Sequence, residues 1–409
     1  MLKRICILLF VVNNINAQPN ILDSLLKNNA QLKAYYEQTK ELNIQIVYTQ
    51  INRDKHNIPT FNTFTYNTKN HPYFYPASTV KMPIALLALE KLNDKKYKAI
   101  NINTPLIEST QYKALPKSQN TYTKYKDSTV ANYIKQIFLV SDNHASNVLY
   151  QFCGQAYIQK KLREKNYKTA IIKHQLGFNS STTANKQSPA FYFIDSTYHI
   201  VFTEKEKVST ASFTSRKVSL GKAYMQNGQI INKPFDFSDK NDVRLIDLHS
   251  MLQSVIFPAN SISKSTFTLT PAQRKFVLYY MSAYPGESMN PLYDTSNYYD
   301  AYCKFLLYGA EKKPTNPNIR IFNKVGDAYG FLTDIAYIVD FENKVEFLLS
   351  ATINCNTNKI YNDDNYDYET IGFPFLKFLG EAIYNYELKR AKKYLPNLQE
   401  FIMNYQQPL

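Results

Sequence analysis

The chain is poor in cysteine, with four in 409 residues, and beyond its first residues it has no long apolar run. Cys6 lies in the leading segment, leaving Cys153, Cys303 and Cys355 far apart along the chain. Three thiols allow at most one internal disulfide, which excludes a disulfide scaffold. Their separation gives no metal-ligand spacing. His174, His199 and His249 show none either, so structural or surface roles are expected of them and no cofactor is implied. No later stretch approaches the ~18 apolar residues that cross a bilayer. A linker rich in glycine or serine is also missing, as is any internal repeat, so one unit over residues 18–409 is expected, with insertions near 190–237 and 285–318.

Charge is strongly of one sign: 48 Lys and Arg against 33 Asp and Glu give a net +15. The basic residues are scattered, however, and no helix-turn-helix, zinc-finger or RNP pattern accompanies them. The charge therefore reads as a solvated surface, and no nucleic-acid partner is expected.

At the start of the chain, Lys3 and Arg4 precede the apolar run 5–12, and Ala17 offers a small residue for cleavage. This is the pattern of a secretion signal over residues 1–17. An exported protein, periplasmic or secreted, without an integral membrane segment after signal removal, is the expectation.

Hydrophobic periodicity predicts an amphipathic helix over 21–42, then strands over 43–52 and 61–66 joined by a turn. Helical patterns follow over 128–139, 144–152 and 156–167, with Ser141-Asp142-Asn143 in the turn between the first two. Strands are expected between 190 and 202. A hairpin is expected over 223–232, where Asn227-Gly228 suits a two-residue turn. Helices are predicted over 243–256, 270–283 and 298–307, then strands over 320–324, 333–339 and 345–353 and a closing helix over 372–389. The expected fold class is thus α/β (α+β), with an antiparallel sheet drawn from the N- and C-terminal strands and a helical region inserted between them.

The stretch 75–93, YPASTVKMPIALLALEKLN, has almost no polar face, as expected of a central core helix. Ser78 sits three residues before Lys81 at its start, so both occupy one side of the first turns. A lysine deprotonated by burial or by neighbouring cations can take a serine's proton, and the helix start directs N–H groups at an oxygen that becomes negative. The same spacing recurs at Ser24/Lys27, Ser219/Lys222 and Ser261/Lys264, and a serine-capped core helix would look alike. Two further motifs separate Ser78 from the rest: Ser141-Asp142-Asn143 and Lys324-Val325-Gly326 each occur once, in that order after it.

The ordered set resembles class A β-lactamases and penicillin-binding proteins, whose pattern is S-x-x-K, S-D-N and K-T-G. The resemblance implies a β-lactamase/transpeptidase-like fold and an active-site serine enzyme. Carried over by position, it implies that Ser78 is acylated, Lys81 is its base, and Ser141 relays a proton to the leaving nitrogen. Asn143 would bind the substrate's amide side chain, Lys324 would place positive charge near the substrate carboxylate, and the N–H groups of Ser78 and Asp327, beside Gly326, would form an oxyanion hole. The implied partner is a small-molecule or peptidoglycan-derived substrate. Alternatives are a D-alanyl-D-alanine peptidase, or a binding protein that kept the fold.

Two departures stand out. Val325 replaces the hydroxyl residue of the third motif, and between 165 and 200 the only acidic residue is Asp195. The E-x-x-L-N glutamate that holds a deacylating water in class A enzymes is missing. Slow release of an acyl-enzyme, or transfer to another acceptor, follows as an expectation.

Overall fold

The computed structural model describes residues 20–114, 119–177, 181–261 and 265–407; the expected signal segment, Cys6 and Lys264 lie outside the described residues. Its centre is a five-stranded antiparallel sheet, β1 (Gln45–Arg53), β2 (Pro59–Tyr66), β3 (Ile319–Ala328), β4 (Phe331–Asp340) and β5 (Val345–Asn354), in the order β3-β4-β5-β1-β2. The pairing of β1 with β5, Gln45 opposite Thr352, joins the two ends of the chain and leaves β3 as one edge.

Period-2 alternation sorts the side chains onto two cores. On β3, Ile319, Ile321 and Val325 face an outer layer, whereas Phe322 and Lys324 face the helical region. The outer layer is closed by α1 (Ile21–Asn28), α2 (Lys33–Glu37) and α9 (Phe373–Lys389). The inner face packs against α3 (Lys81–Leu92), α4 (Val130–Val140), α5 (Asn143–Cys153), α6 (Gln155–Glu164), α7 (Leu245–Ile256) and α8 (Pro271–Ser282). Every residue of α3 is buried, Lys81, Glu90 and Lys91 included, so the central helix expected from the sequence is central in fact. His249, buried on α7, ties that helix to the sheet through Thr49 Oγ1 (2.9 Å) and Ser350 Oγ (2.8 Å).

Three expectations need correction. The helix predicted over 21–42 is broken between α1 and α2, because the Asn29 side chain accepts from the N–H groups of Gln31 (2.9 Å) and Leu32 (3.3 Å) and so offers the backbone a turn instead. The helix predicted over 298–307 is reduced to Phe305–Tyr308, whose interior leaves helical geometry at Leu306 and at Leu307, φ +76°. Asp334 holds that segment by accepting from the N–H groups of Phe305 (3.1 Å) and Leu306 (3.0 Å). Finally, Lys324-Val325-Gly326 does not end its strand but lies within β3, which continues to Ala328. The expected hairpin at 223–232 is present as strands Ala223–Gln226 and Gln229–Ile231, with both turn residues at positive φ. Among the described residues the three cysteines are free and buried, and no helix is long and apolar enough to cross a membrane.

Candidate active site

The chain enters α3 through a single 3₁₀ turn, Ala77–Val80. Ala77 takes φ +45°, a left-handed conformation that alanine rarely adopts. This sets Ser78, half-buried, at the rim of a cleft of about 600 Å³ that Asn143, Asp327 and Tyr75 also line. Lys81 is the first residue of α3 and is fully buried.

α4 ends at Ser141, whose φ of +58° turns the chain out of the helix. Asp142 then caps α5 by accepting from the Ala145 N–H (2.7 Å), so Asn143 stands at the first helical position. Two successive helix boundaries therefore present Ser141 and Asn143 to the same space. Lys81 Nζ donates to the Ser141 carbonyl and to Asn143 Oδ1 (2.6 Å), and reaches Ser141 Oγ at 3.4 Å.

The third motif arrives from the sheet. Lys324, on the inner face of β3, donates from Nζ to Ser141 Oγ (2.8 Å) and to the Val325 carbonyl (2.9 Å). A Cβ on Gly326 would lie 2.8 Å from Pro76 O, Ser78 N and Thr79 N, so only glycine lets the strand come this close to the helix start. The Tyr329-Gly330 turn, with φ of +55° and +77°, fixes the phase of the β3–β4 ladder. Ala328 and Phe331 exchange hydrogen bonds beside that turn, and Asp327, one residue on, directs its N–H outward from the edge of the sheet.

The electrostatics follow from the packing. Burial, and then the charge on Lys324, pulls Lys81 down to about 7; burial pulls Lys324 down to about 8. Asp327 is exposed at the cleft rim, yet the protein packed around its carboxyl desolvates it and raises it against the pull of both lysines. Cys303 lies close enough to all three groups to be coupled to them, and burial raises its thiol.

The structure thus brings together Ser78, Lys81, Ser141, Asn143, Lys324, Gly326 and Asp327, from three segments far apart in sequence. Among the described residues Ser78 Oγ makes no hydrogen bond, and the Lys81 ammonium is turned to Ser141 and Asn143 instead. Val325 faces the outer core, 1% exposed, and offers the cleft neither a hydroxyl nor a surface. His144, on the exposed start of α5, packs edge-on against Tyr133.

Sequence reasoning passed over the opposite wall. His174 lines the cleft, stacked parallel to Tyr75 at 6.1 Å. Its Nε2 accepts from the Asn241 N–H (3.1 Å), which leaves Nδ1 to donate to the Gln175 carbonyl (2.7 Å), and burial lowers its pKa to about 4. Gln175, Leu176 and Gly177 follow it past Asn143 without bringing a carboxylate. Lys240, Asn362, Asp364, Tyr366 and Tyr368 also line the rim. No local spacing marks these residues; only the tertiary fold assembles them. Among the described residues no group of His, Cys, Asp and Glu could hold a metal ion.

Residues 27–231 match the model of a family described as the beta-lactamase enzyme family. No match was found among curated proteins. Among solved structures the chain is similar to a beta-lactamase from Chitinophaga pinensis DSM 2588, at 13% identity, covering 87% of this chain and 100% of that one, with a TM-score of 0.47. It is likewise similar to the beta-lactamase from Sphaerobacter thermophilus DSM 20745 (11% identity, 85% and 92% covered, TM-score 0.45) and to PBP-A (13%, 89% and 95%, 0.46).

Proposed function

Because the chain belongs to the beta-lactamase enzyme family, we propose that it is an exported active-site serine hydrolase or acyltransferase, with Ser78 acylated by a β-lactam or a related amide. The observation that carries this reading is the hydrogen-bonded chain from Lys81 through Ser141 to Lys324 beside Ser78.

In the proposed reaction neutral Lys81 takes the Ser78 proton as Oγ attacks the carbonyl carbon. The carbonyl oxygen, now negative, enters between the N–H groups of Ser78 and Asp327; a donor of this kind contributes roughly 3 kcal/mol. When the C–N bond breaks, the proton passes from Lys81 through the Ser141 hydroxyl to the leaving nitrogen, so Lys81 is neutral again. Asn143 holds the substrate's amide side chain, and the Lys324 ammonium stands beside Ser141 to attract a substrate carboxylate.

The segment past His174 brings no carboxylate to hold a hydrolytic water; the two acids that line the cleft, Asp327 and Asp364, come from β3 and from the loop before Tyr366 instead. This supports a long-lived acyl-enzyme and favours, as a second reading, a peptidase acting on D-alanyl-D-alanine ends of peptidoglycan, which needs no such glutamate.

Incubation with labelled penicillin or an active-serine fluorophosphonate tests the proposal by mass. The expected result is one adduct on Ser78, lost in Ser78→Ala and persisting for minutes or longer with penicillin. No adduct from any acylating probe would leave a binding protein with this fold; rapid turnover of penicillin would contradict slow release.

A further inference from the structure

A second cavity, of about 690 Å³, opens at the far end of α3, about 18 Å of helix away from Ser78. It lies between the last turn of α3, the first turn of α6 and the short strand Lys207–Val208. Five lysines, Lys91, Lys96, Lys161, Lys186 and Lys207, line it against two acids, Glu90 and Asp94. The buried Glu204 carboxylate receives Lys91 (3.1 Å), Lys96 (3.5 Å) and Lys207 together, and accepts from the Tyr97 hydroxyl (2.7 Å). One carboxylate thus answers three cations. Glu90, the other buried acid, is already paired with Lys161 (3.3 Å) and Lys165 (2.7 Å) and has no charge to spare. Burial brings Lys91 to about 8, and burial with the charges of Lys91 and Lys96 brings Lys207 to about 7.

The first turn of α6 points the same way. Gly154 precedes it without a side-chain cap, and among the described residues the N–H groups of Gln155, Ala156 and Tyr157 have no partner, although these residues line the cavity. Unpaired N–H groups at a helix start, with the positive end of the helix dipole behind them, favour an anion. Gln155, at this helix start, is 2% exposed, and its buried Oε1 is likewise without a partner among the described residues. Tyr97 and Tyr157 add aromatic surface on which the rest of a ligand can lie.

We propose that this cavity is a second binding site, for a multiply charged oxyanion held by Lys96, Lys207 and the α6 amides, while Lys91, whose ammonium donates to Glu204 and to the Phe152 and Cys153 carbonyls, adds only its charge. It is separate from the Ser78 cleft and does not depend on the chemistry proposed there. Salt supplies only diffuse screening, whereas a phosphate or polycarboxylate group supplies directed acceptors for ammonium and amide together.

The test uses the full chain with inorganic phosphate, diphosphate and citrate, at ionic strength held constant with sodium chloride. Calorimetric titration should give saturable binding with at least one of the three, and that anion should raise the thermal midpoint above the chloride control. The three arms separate phosphate from carboxylate ligands. In a Lys96→Gln, Lys207→Gln variant, both side chains being about half exposed (52% and 42%), binding should weaken at least tenfold while labelling of Ser78 is unchanged. Should that variant fail to fold, the amide resonances of Gln155, Ala156 and Tyr157 in the unaltered chain provide the readout, and they should move with the bound anion. Absence of saturable binding by all three anions, binding equally strong in the variant, or stationary amide resonances would overturn the proposal.

Discussion

Lys81 and Lys324 are two ammonium groups in one buried cleft, linked through a single serine hydroxyl. Each disfavours the other's charge, and burial disfavours both. With Lys81 at about 7 and Lys324 at about 8, a window exists in which the first is neutral and the second still charged. In the proposed reaction the base must be unprotonated and the carboxylate-attracting group protonated, so the rate of Ser78 acylation should rise with pH through about 7 and fall through about 8. A flat profile from pH 6 to 9 would count against these roles. Lys324→Met removes the second cause of the Lys81 shift but not the first. Its rising limb should therefore move to higher pH yet stay below an ordinary lysine's value near 10.4. Lys81→Met should slow acylation by ~10²–10⁴, the usual worth of a positioned base.

At the scale of elements, the site depends on one close approach, that of β3 to the turn that opens α3. In Gly326→Ala the added methyl meets three backbone atoms at 2.8 Å, none of which can rotate aside. Strand and helix start must separate. We expect a loss of roughly 1–3 kcal/mol in urea denaturation, as for overpacked cores, and acylation at least tenfold slower. Gly228→Ala is the control, since its hairpin position has open space and only a positive φ to oppose the change. It should destabilise by about 1 kcal/mol and leave acylation untouched.

The elements themselves were legible in the sequence wherever a buried face repeats: β1, β2, β4, β5 and α3 all carry their period in apolar residues. Legibility failed where a single side chain overrides the pattern, as Asn29 does by bonding its own backbone and as Asp334 does by gripping Phe305 and Leu306 from a strand far downstream. The motif residues could be read because their spacing is local. Their common wall with His174, Lys240 and Tyr368 could not, because each of those residues is ordinary in its own neighbourhood.

For the whole molecule, one sheet separates two apolar cores, and the free thiols report on both. Cys153 belongs to the inner core and Cys303 and Cys355 to the outer. Burial raises all three, Cys153 to about 12, so in the native state none should react with a thiol reagent at neutral pH. If the sheet couples the cores, labelling in mild denaturant should expose the three at a single rate, as mass spectrometry of the labelled peptides would show. Faster labelling of Cys303 and Cys355 would mean that the outer layer opens by itself.

The junction of β1 with β5 also dictates when the molecule can exist. The first strand made by the ribosome has one neighbour close behind it, β2, and must wait for the other until roughly 300 further residues have been added. Until then its open edge and the apolar side chains on both of its faces have nothing to cover them, and a two-stranded ribbon is marginally stable at best. Synthesis from the N-terminus therefore cannot lay this sheet down piece by piece. The polypeptide stays unfinished as a structure until β5 is available, and a chaperone that shields β1 meanwhile should raise the yield of folded protein more than one that acts after release.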